Sequence, residues 1–311
     1  MLIIRLQGGL GNQMFQYAFI KALSLKTNNE YRLDLSSFEE DKNFFIRFYR
    51  YKFKKYTKER YRLNVFEIDE KIANKEEVRR IIGDIDIIFL IKKKLKILKN
   101  NIYIEQFPPA YKELNIYDKK IMYFIGYFQD ERYFIDIKDI LKKEFIFKKE
   151  IINNFSENFF RWLKIIKNFS NSVGVHIRRG DYLKNEKAKK EWGVCSIKYY
   201  INAMRYFQFY KDVAFFIFSN DIHWCKTHFV PVLYSLGIKN VYVIEGCRSD
   251  LEEFELMRNC SHLIIANSTF SWWAAWLNNN PNKKIIVPSI WNFKALNWHP
   301  SLNLGWLKFD V

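Results

Sequence analysis

The chain has 311 residues, 49% hydrophobic and 18% aromatic, so it can bury a substantial core and is not globally disordered. Its 51 Lys and Arg outnumber 34 Asp and Glu, and the net charge of +17 favours nucleic acid, an acidic membrane surface or a phosphorylated small molecule as partner. No zinc-finger spacing, basic region with heptads or RRM signature supports a nucleic-acid-binding protein.

Neither a membrane span nor a disulfide framework is expected. The first residues, MLIIRLQGGL, lack the apolar core of a signal peptide, and no apolar stretch is long enough to span a bilayer, so we expect a cytoplasmic protein. The four cysteines, Cys195, Cys225, Cys247 and Cys260, form no CxxC pair. Reduced core thiols are therefore favoured over a metal or redox motif.

The chain opens with an apolar run at 2–4, glycines at 8, 9 and 11, and apolar residues at helical spacing over 14–25. This pattern predicts a strand, a glycine loop and a helix, which is the start of an α/β domain. The loop matches neither GxGxxG nor the Walker pattern, so an ATPase is not supported. Its glycines would still let the backbone approach a ligand closely.

The middle of the chain is less regular. The basic stretch 91–99 fits a solvated helix, with a membrane-facing patch as the alternative. Asp84-Ile85-Asp86 spells DxD, a weak signal for a metal-dependent sugar transferase. Residues 121–129 predict a buried strand running into a loop, and 131–165 a mostly helical segment, with a domain boundary near the polar turn 168–172.

Five apolar strands are predicted in the second half, separated mostly by helical patterns. They are Val173–Arg178, Val213–Phe218, Val241–Ile244, Leu263–Ala266 and Ile285–Val287. Such alternation favours a parallel sheet covered on both faces. Ligands of these sheets sit at the carboxyl ends of the strands, so the chemistry is expected there.

The first predicted strand of that half is followed by charged residues. His176 and Arg178 share the face opposite the valines, and Arg179, Gly180 and Asp181 follow. Two adjacent guanidinium groups at a strand end suit a diphosphate, because arginine forks onto phosphate oxygens. A structural Arg–Asp pair closing the turn is the alternative, and an Arg-Gly-Asp adhesion motif is a weaker one.

Two further strand ends carry small polar residues. Asn267 is followed by Ser268, Thr269 and Ser271, good N-cap residues whose helix would offer free N–H groups to an anion. The tryptophans that follow at 272, 273 and 276 have helical spacing and favour the core over a sugar platform. At the other strand end, the segment 219–221 (Ser-Asn-Asp) fits base or ribose binding, or a simple helix cap.

Together these segments resemble the bacterial α-1,2-fucosyltransferases of glycosyltransferase family 11. The matching stretches follow the family's order and span nearly the whole chain: LQGGLGNQMFQYAF (6–19), YRLNVF (61–66), GYFQDERYF (126–134), GVHIRRGDY (174–182), FSND (218–221) and IIANSTFSWWAAWLN (264–278). Two departures are Asn220, where relatives often carry Asp, and Ala274, where Gly is common.

The resemblance implies an α/β fold of the GT-B type, two Rossmann-like domains with a cleft between them. Residues 1–170 would form the acceptor-side domain and 171–311 the GDP-fucose-binding domain. It further implies an inverting, metal-independent transfer from GDP-β-L-fucose to O2 of a terminal galactose on a surface polysaccharide or oligosaccharide. No cofactor, metal or nucleic acid is expected, and peripheral contact with an acidic membrane surface at its inner face is a further expectation from charge.

The resemblance places Arg178 on the diphosphate, and the catalytic set is Arg178 with Asp181 and His176. Asp181 is the first candidate base because it follows Arg178 by three residues at the same strand end. Holding the donor or orienting Arg178 is the alternative role for Asp181. GDP-fucose would be bound by Gly11, Asn12, Gln13, Arg179, Ser219, Asp221, Asn267, Ser268, Thr269 and Phe270. The alternatives are transfer of another GDP-sugar and a non-catalytic protein that binds a sugar nucleotide on the same fold.

Overall fold

The computed structural model describes residues 1–38, 60–82, 101–114, 121–180, 193–301 and 304–311. These residues form two compact units, Met1–Lys148 and Lys149–Val311, each built on a parallel sheet. The predicted α/β class is therefore confirmed. The basic stretch 91–99 and the DxD spelling at 84–86 lie outside the described residues.

The first unit begins with the predicted strand, loop and helix. Its helices and strands are β1 (Leu2–Arg5), α1 (Leu10–Thr27), β2 (Tyr31–Asp34), α2 (Lys75–Ile82), β3 (Ile102–Ile104), β4 (Met122–Ile125) and α3 (Lys138–Glu144). The sheet order is β2-β1-β4-β3, with every pairing parallel. The segment predicted as mostly helical is helical in short pieces, beginning with 3-10 turns at Glu131–Tyr133 and Ile135–Ile137.

Helix α1 organises the first unit. It begins after Gly9 and ends at Thr27, and the C-cap residue Asn28 takes a left-handed conformation (φ 49°). Its side chains are buried over most of its length, and Phe19 stacks on Phe128 with ring centroids 3.8 Å apart. Through this stack, the loop that follows β4 packs against the helix.

The second unit has a larger sheet. Its helices and strands are α4 (Lys149–Asn153), α5 (Glu157–Lys167), β5 (Asn171–Ile177), α6 (Ile197–Phe207), β6 (Val213–Ser219), α7 (Ile222–Trp224), α8 (Val230–Ser235), β7 (Val241–Val243), α9 (Asp250–Arg258), β8 (His262–Ile264), α10 (Thr269–Leu277), β9 (Ile285–Pro288) and β10 (Leu307–Phe309), with a π-helical turn, Cys225–Phe229, between α7 and α8. The order is β10-β9-β8-β5-β6-β7, all parallel. All five predicted strands are present, with small shifts at their ends.

The second unit begins earlier than the sequence pattern places it, at 149 rather than 171. Helix α5 is the reason, because its side chains bond to the second unit. Trp162 Nε1 donates to the Glu245 carbonyl at 2.9 Å, and the N-cap residue Ser156 donates through Oγ to Glu252 at 2.7 Å. These bonds make α5 part of the second unit.

The core of the second unit lies on both faces of its central strand, β5. Val173, Val175 and Ile177 pack in a buried cluster with side chains of α6. Helix α10 is buried almost completely, and Trp272 and Trp273 have no exposed surface, which confirms them as core residues. Burial of a side chain this large stabilises the fold by roughly 2–3 kcal/mol. No helix in the described ranges is long and apolar enough to cross a membrane.

Candidate active site

Three strand ends of the second unit meet at one edge. Strands β8, β5 and β6 are neighbours and parallel, so their carboxyl ends lie side by side. This edge carries most of the predicted site residues of the second unit: His176, Arg178, Arg179, Ser219, Asp221, Asn267, Ser268, Thr269 and Phe270. Asp181, the predicted base, lies outside the described residues.

Arg178 lies beside the start of helix α10. Its Nη1 donates to Ser268 Oγ at 3.4 Å. Ser268 is the N-cap residue of this helix, yet its side chain makes no capping hydrogen bond, so the hydroxyl does not occupy the first-turn N–H groups. A guanidinium, a hydroxyl and the positive end of a helix dipole thus lie together, which is a site suited to an anion.

His176 ties β5 to the same helix. It is 8% exposed, and its Nδ1 lies 2.8 Å from Ser271 Oγ. Ser271 Oγ donates to the Ser268 carbonyl at 3.3 Å, which makes His176 Nδ1 the donor to the hydroxyl. The contact fixes the start of α10 relative to Arg178, and the predicted catalytic role of His176 stays a prediction.

Arg179 has surroundings different from those of Arg178. Its guanidinium carbon lies 3.6 Å from the centroid of the Trp224 ring, and its Nε lies 3.7 Å from Asp221 Oδ2. Asp221 also caps α7 by accepting from Trp224 N at 3.2 Å. An Arg–Asp pair therefore links the ends of β5 and β6. The pair predicted within the turn after β5 would involve Asp181, which lies outside the described residues.

The turn after β5 is held by the end of β6. Asn220 Oδ1 accepts from the backbone N–H groups of Arg179 and Gly180, at 3.0 and 3.1 Å. Ser219 is buried and its Oγ accepts from Asp221 N at 3.0 Å. The acceptor in both bonds is a side-chain oxygen, which an Asp carboxylate also has, so Asn220 is compatible with the turn that an Asp would hold.

Asn267 is buried at the end of β8 and anchors a neighbouring loop. Its Nδ2 donates to the Trp291 carbonyl at 3.3 Å, and its Oδ1 accepts from Cys195 Sγ at 3.8 Å. Thr269 and Phe270 are half-buried at the first turn of α10. They are therefore better exposed to a ligand than Asn267, whose binding role stays a prediction.

The first turn of α9 adjoins this edge and was not identified from the sequence. Phe254 packs on Phe270 with ring centroids 5.2 Å apart. Next to it, burial, together with the charges of Asp250 and Glu252, raises the pKa of Glu253 to about 7. This turn therefore brings a carboxyl group that titrates near neutral pH beside helix α10.

In the first unit, the glycine loop after β1 is fixed by a buried amide. Gln13 has no exposed surface, and its Nε2 donates to the carbonyls of Gly8 and Arg60, both at 2.8 Å. Its Oε1 accepts from Arg62 N at 2.9 Å. Gly11 is buried as well, so of the three predicted ligand-binding residues here, Asn12 is the one whose side chain is partly exposed.

The loop after β4 reaches the same edge of the first unit. Gln129 Nε2 donates to Asn12 Oδ1 at 2.9 Å. Glu105, just beyond β3, accepts from the N–H groups of Tyr127 and Phe128 at 2.7 and 3.1 Å. Burial raises the pKa of the Glu105 carboxyl, against the lowering effect of these two N–H groups.

Sequence reasoning missed Gln129 and Trp224 as residues that shape the site, and it offered base or ribose binding or a helix cap for Asn220 rather than support of the turn after β5. Gln129 and Asn220 lie within stretches already matched to a family, GYFQDERYF and FSND, so a signal existed for both. The stack of Trp224 on Arg179 has no sequence signal, because 45 residues separate them in the sequence numbering and only the pairing of β5 with β6 brings them together.

The described residues were also compared with the requirements of a metal site and of a reactive thiol. Across the described ranges, no group of three or more His, Cys, Asp or Glu side chains is placed to hold a metal ion. All four cysteines are unpaired, and burial raises the pKa of Cys195 and of Cys225 to about 11 each. These two thiols are therefore protonated and unreactive at neutral pH.

Two α/β units on parallel sheets, with a cation and a helix N-terminus at one sheet edge, are typical of proteins that bind phosphorylated ligands. Comparisons with known proteins agree. The sequence profile described as "Glycosyl transferase family 11" matches residues 1–306. The chain belongs to glycosyltransferase family 11, and the resemblance found in its motifs is confirmed.

Two relatives match over almost their whole length. The chain is 36% identical to the alpha-1,2-colitosyltransferase of Escherichia coli over 294 residues, 93% of this chain and 92% of the relative. It is 30% identical to the O-antigen biosynthesis glycosyltransferase WbnK of Escherichia coli over 306 residues, 92% of this chain and 93% of that one. The chain is thus a glycosyltransferase with bacterial relatives.

More distant matches cover less or superpose poorly. Galactoside alpha-(1,2)-fucosyltransferase 2 of Pongo pygmaeus is 35% identical over 111 residues, 35% of this chain and 31% of that protein. Among solved structures, the fucosyltransferase NodZ from Bradyrhizobium gives a TM-score of 0.46 at 13% identity, covering 88% of this chain and 92% of that one. A likeness at this level carries no argument about the site.

Proposed function

We propose that this glycosyltransferase moves L-fucose from GDP-β-L-fucose to O2 of a terminal galactose on a glycan, with inversion and without a metal ion. The observation that carries the proposal is the Arg178 guanidinium 3.4 Å from Ser268 Oγ at the start of helix α10. Its support comes from the family and from relatives named as alpha-1,2-fucosyl- and alpha-1,2-colitosyltransferases.

The leaving group explains why such a site is needed. When the bond between the sugar C1 and the phosphate oxygen breaks, GDP takes the electron pair and negative charge grows on the diphosphate. Arg178 and the first-turn N–H groups of α10 are fixed before the reaction, so they stabilise that charge without reorganisation. They would supply the charge neutralisation that a divalent metal supplies in other transferases.

Inversion requires attack from the opposite face of the sugar. The acceptor O2 forms the new bond to C1 while its proton passes to a base. Asp181 keeps the role of candidate base, since it follows Arg178 by three residues. If the donor bond is largely broken before attack, the demand on that base is small.

The other residues receive roles from their contacts. Thr269 and Phe270 are half-buried at the start of α10 and would contact the donor, whereas Asn267 would hold the loop behind them. Asn12 is proposed as a donor-binding residue through its partly exposed amide. Gln13 is reassigned, because its amide is fully used by Gly8, Arg60 and Arg62, to the support of the glycine turn.

A second donor is favoured by one observation. The relative at 36% identity is named for colitose, which is L-fucose without its C3 hydroxyl. The donor is therefore tested by the ratio of kcat/KM for GDP-fucose to that for GDP-colitose. A ratio well above one supports the fucosyl assignment, and a ratio well below one replaces it.

The acceptor is proposed from relatives and charge. WbnK is named for O-antigen biosynthesis, which suggests a surface polysaccharide as the class of acceptor. The net charge of +17 favours association with an acidic membrane surface. Vesicle cosedimentation that weakens as salt rises would support this association.

The deciding experiment measures GDP release from GDP-fucose in EDTA, with and without lactose. Lactose-dependent release with a fucosylated product supports the reaction class and its independence of added metal. Activity that is lost in EDTA and restored by Mn²⁺ contradicts the metal-free mechanism. GDP-fucose binding without release on a panel of galactosides supports the non-catalytic alternative, and no binding at all rejects GDP-fucose as donor.

A further inference from the structure

The side-chain amide of Asn12 has a defined orientation. Its Oδ1 accepts from Gln129 Nε2 at 2.9 Å, so the Asn12 oxygen is occupied and the Nδ2 group lies on the side of Gly8. Asn12 belongs to the first turn of the 18-residue helix α1 and is half-buried. Near the positive end of that helix, an N–H donor and the dipole both favour an acceptor oxygen.

Gln129 is an unfavourable residue for packing alone. It is 4% exposed, and its Oε1 has no hydrogen-bond partner among the described residues. A buried amide oxygen without a partner destabilises a fold, whereas a methionine of similar length would fill the space without that cost. The Gln129 side chain donates its hydrogen bond to Asn12, so the benefit of a glutamine here lies in that bond.

The loop that carries Gln129 is held on both sides. The fully buried Gln16 donates through Nε2 to the Gly126 carbonyl at 2.9 Å. Glu105 accepts from Tyr127 N at 2.7 Å, and Phe128, at a positive φ of 51°, stacks on α1. A loop with this many anchors can hold an amide at a fixed distance from Asn12.

We propose that Gln129 is a positioning residue for the transfer reaction. Its N–H group fixes Asn12 so that the Nδ2 of Asn12 faces an acceptor oxygen of the sugar nucleotide. Gln129 needs no contact with the substrate for this role. The inference rests on the proposed function, because it takes Asn12 as a donor-binding residue.

The test is a double-mutant cycle with Gln129→Met and Asn12→Ala, measuring thermal midpoint and the KM and kcat for GDP-fucose. Gln129→Met is expected to keep or raise the thermal midpoint while the KM for GDP-fucose rises about tenfold. Asn12→Ala is expected to raise the KM for GDP-fucose by at least the same factor. The double variant should have the same KM for GDP-fucose as Asn12→Ala, because Gln129 acts through Asn12.

Asn12→Asp gives an independent readout. It keeps the oxygen that accepts from Gln129 but replaces the Nδ2 donor by an oxygen, so it should raise the KM as much as Asn12→Ala. Wild-type kinetics in a folded Gln129→Met or Asn12→Asp variant would overturn the inference. A rise in KM in the double variant equal to the product of the rises in Gln129→Met and Asn12→Ala would overturn it as well. An inactive wild-type enzyme would reject the proposed function itself, so the two failures are distinguishable.

Discussion

The carboxyl edges of the two sheets are built from different chemistry. The edge of the second unit carries charge, with Arg178 at a helix start and Arg179 paired to Asp221. The edge of the first unit carries neutral amides, Gln13 and Gln129, around a glycine turn. Charge gives strength to an interaction with a diphosphate, whereas amides fix direction. The two edges therefore differ in the groups they present, cations in the second unit and neutral amides in the first.

The two units also differ in their histidine content. All five histidines lie between residues 176 and 299, within the second unit. Two of them are held neutral: burial lowers the pKa of His262, and it lowers the pKa of His299 to about 4. Acid should therefore act on the second unit through its histidines, while the first unit has none.

The largest expected effect tests the charged edge. Arg178→Ala should reduce transfer by about a hundredfold or more, because the diphosphate loses a fixed cation where charge develops. The measurement is kcat/KM for GDP-fucose, together with the far-UV spectrum and thermal midpoint. Arg178→Lys should recover only part of the loss, since an ammonium cannot fork onto two oxygens.

Arg205→Ala is the matched control for charge, because Arg205 is exposed on helix α6 of the same unit. It should retain wild-type turnover. If a folded Arg178→Ala enzyme also turned over normally, the charged edge would not be the diphosphate site, and the contrast between the two edges would lose its main support.

The next largest effect is expected from a substitution in the glycine turn at the carboxyl edge of the first unit's sheet. Gly8 has φ +77°, and a Cβ there would lie 2.5 Å from Asn12 Nδ2. Gly8→Ala should therefore displace Asn12 and reduce kcat/KM by about tenfold to a hundredfold, besides a stability cost of about 1 kcal/mol from the strained backbone.

Gly237→Ala separates strain from displacement. Gly237 has nearly the same φ, +76°, but a Cβ there meets nothing within 4 Å. It should show the stability cost alone, with wild-type kinetics. Equal kinetic losses in the two variants would mean that backbone strain, rather than the position of Asn12, controls activity.

The smallest effect concerns acid stability. His299 Nε2 donates to the Pro288 carbonyl at 2.9 Å and its Nδ1 accepts from Ser301 N at 3.1 Å, so the ring is neutral in the fold. Its folded pKa of about 4 lies below the unfolded value of 6.5. The unfolded state thus binds more protons. The contribution of neutral His299 to the free energy of unfolding is fully present above pH 6.5 and is lost as the pH drops toward 4.

At pH 5 this loss should be about 2 kcal/mol relative to pH 7.5, seen as a fall in the thermal midpoint of a few degrees. His299→Gln should reduce the difference between the two pH values, and His223→Gln, at an exposed position, should leave it unchanged. Amide hydrogen exchange should place the acid-induced opening in the second unit. Opening confined to the first unit would contradict this assignment.

Local patterns were sufficient for many elements. The apolar runs of β5, β6 and β9 and the glycine loop before α1 involve residues close in sequence, so spacing alone predicted them. The buried tryptophans of α10 were predicted as core for the same reason. The family and its class of chemistry also followed from the sequence, because its motifs occur in order along the chain.

The α/β class, most strand positions and the family are therefore predictable from the sequence alone. Which side chains meet depends on the three-dimensional fold. The order β8-β5-β6 places Ser268 beside Arg178 and Asn220 under the turn at Arg179. The contact of Gln129 with Asn12 spans 117 residues. Partners across a sheet edge are set by strand order and packing, which no spacing along the chain encodes, and this is why the positioning contacts emerged only from the fold.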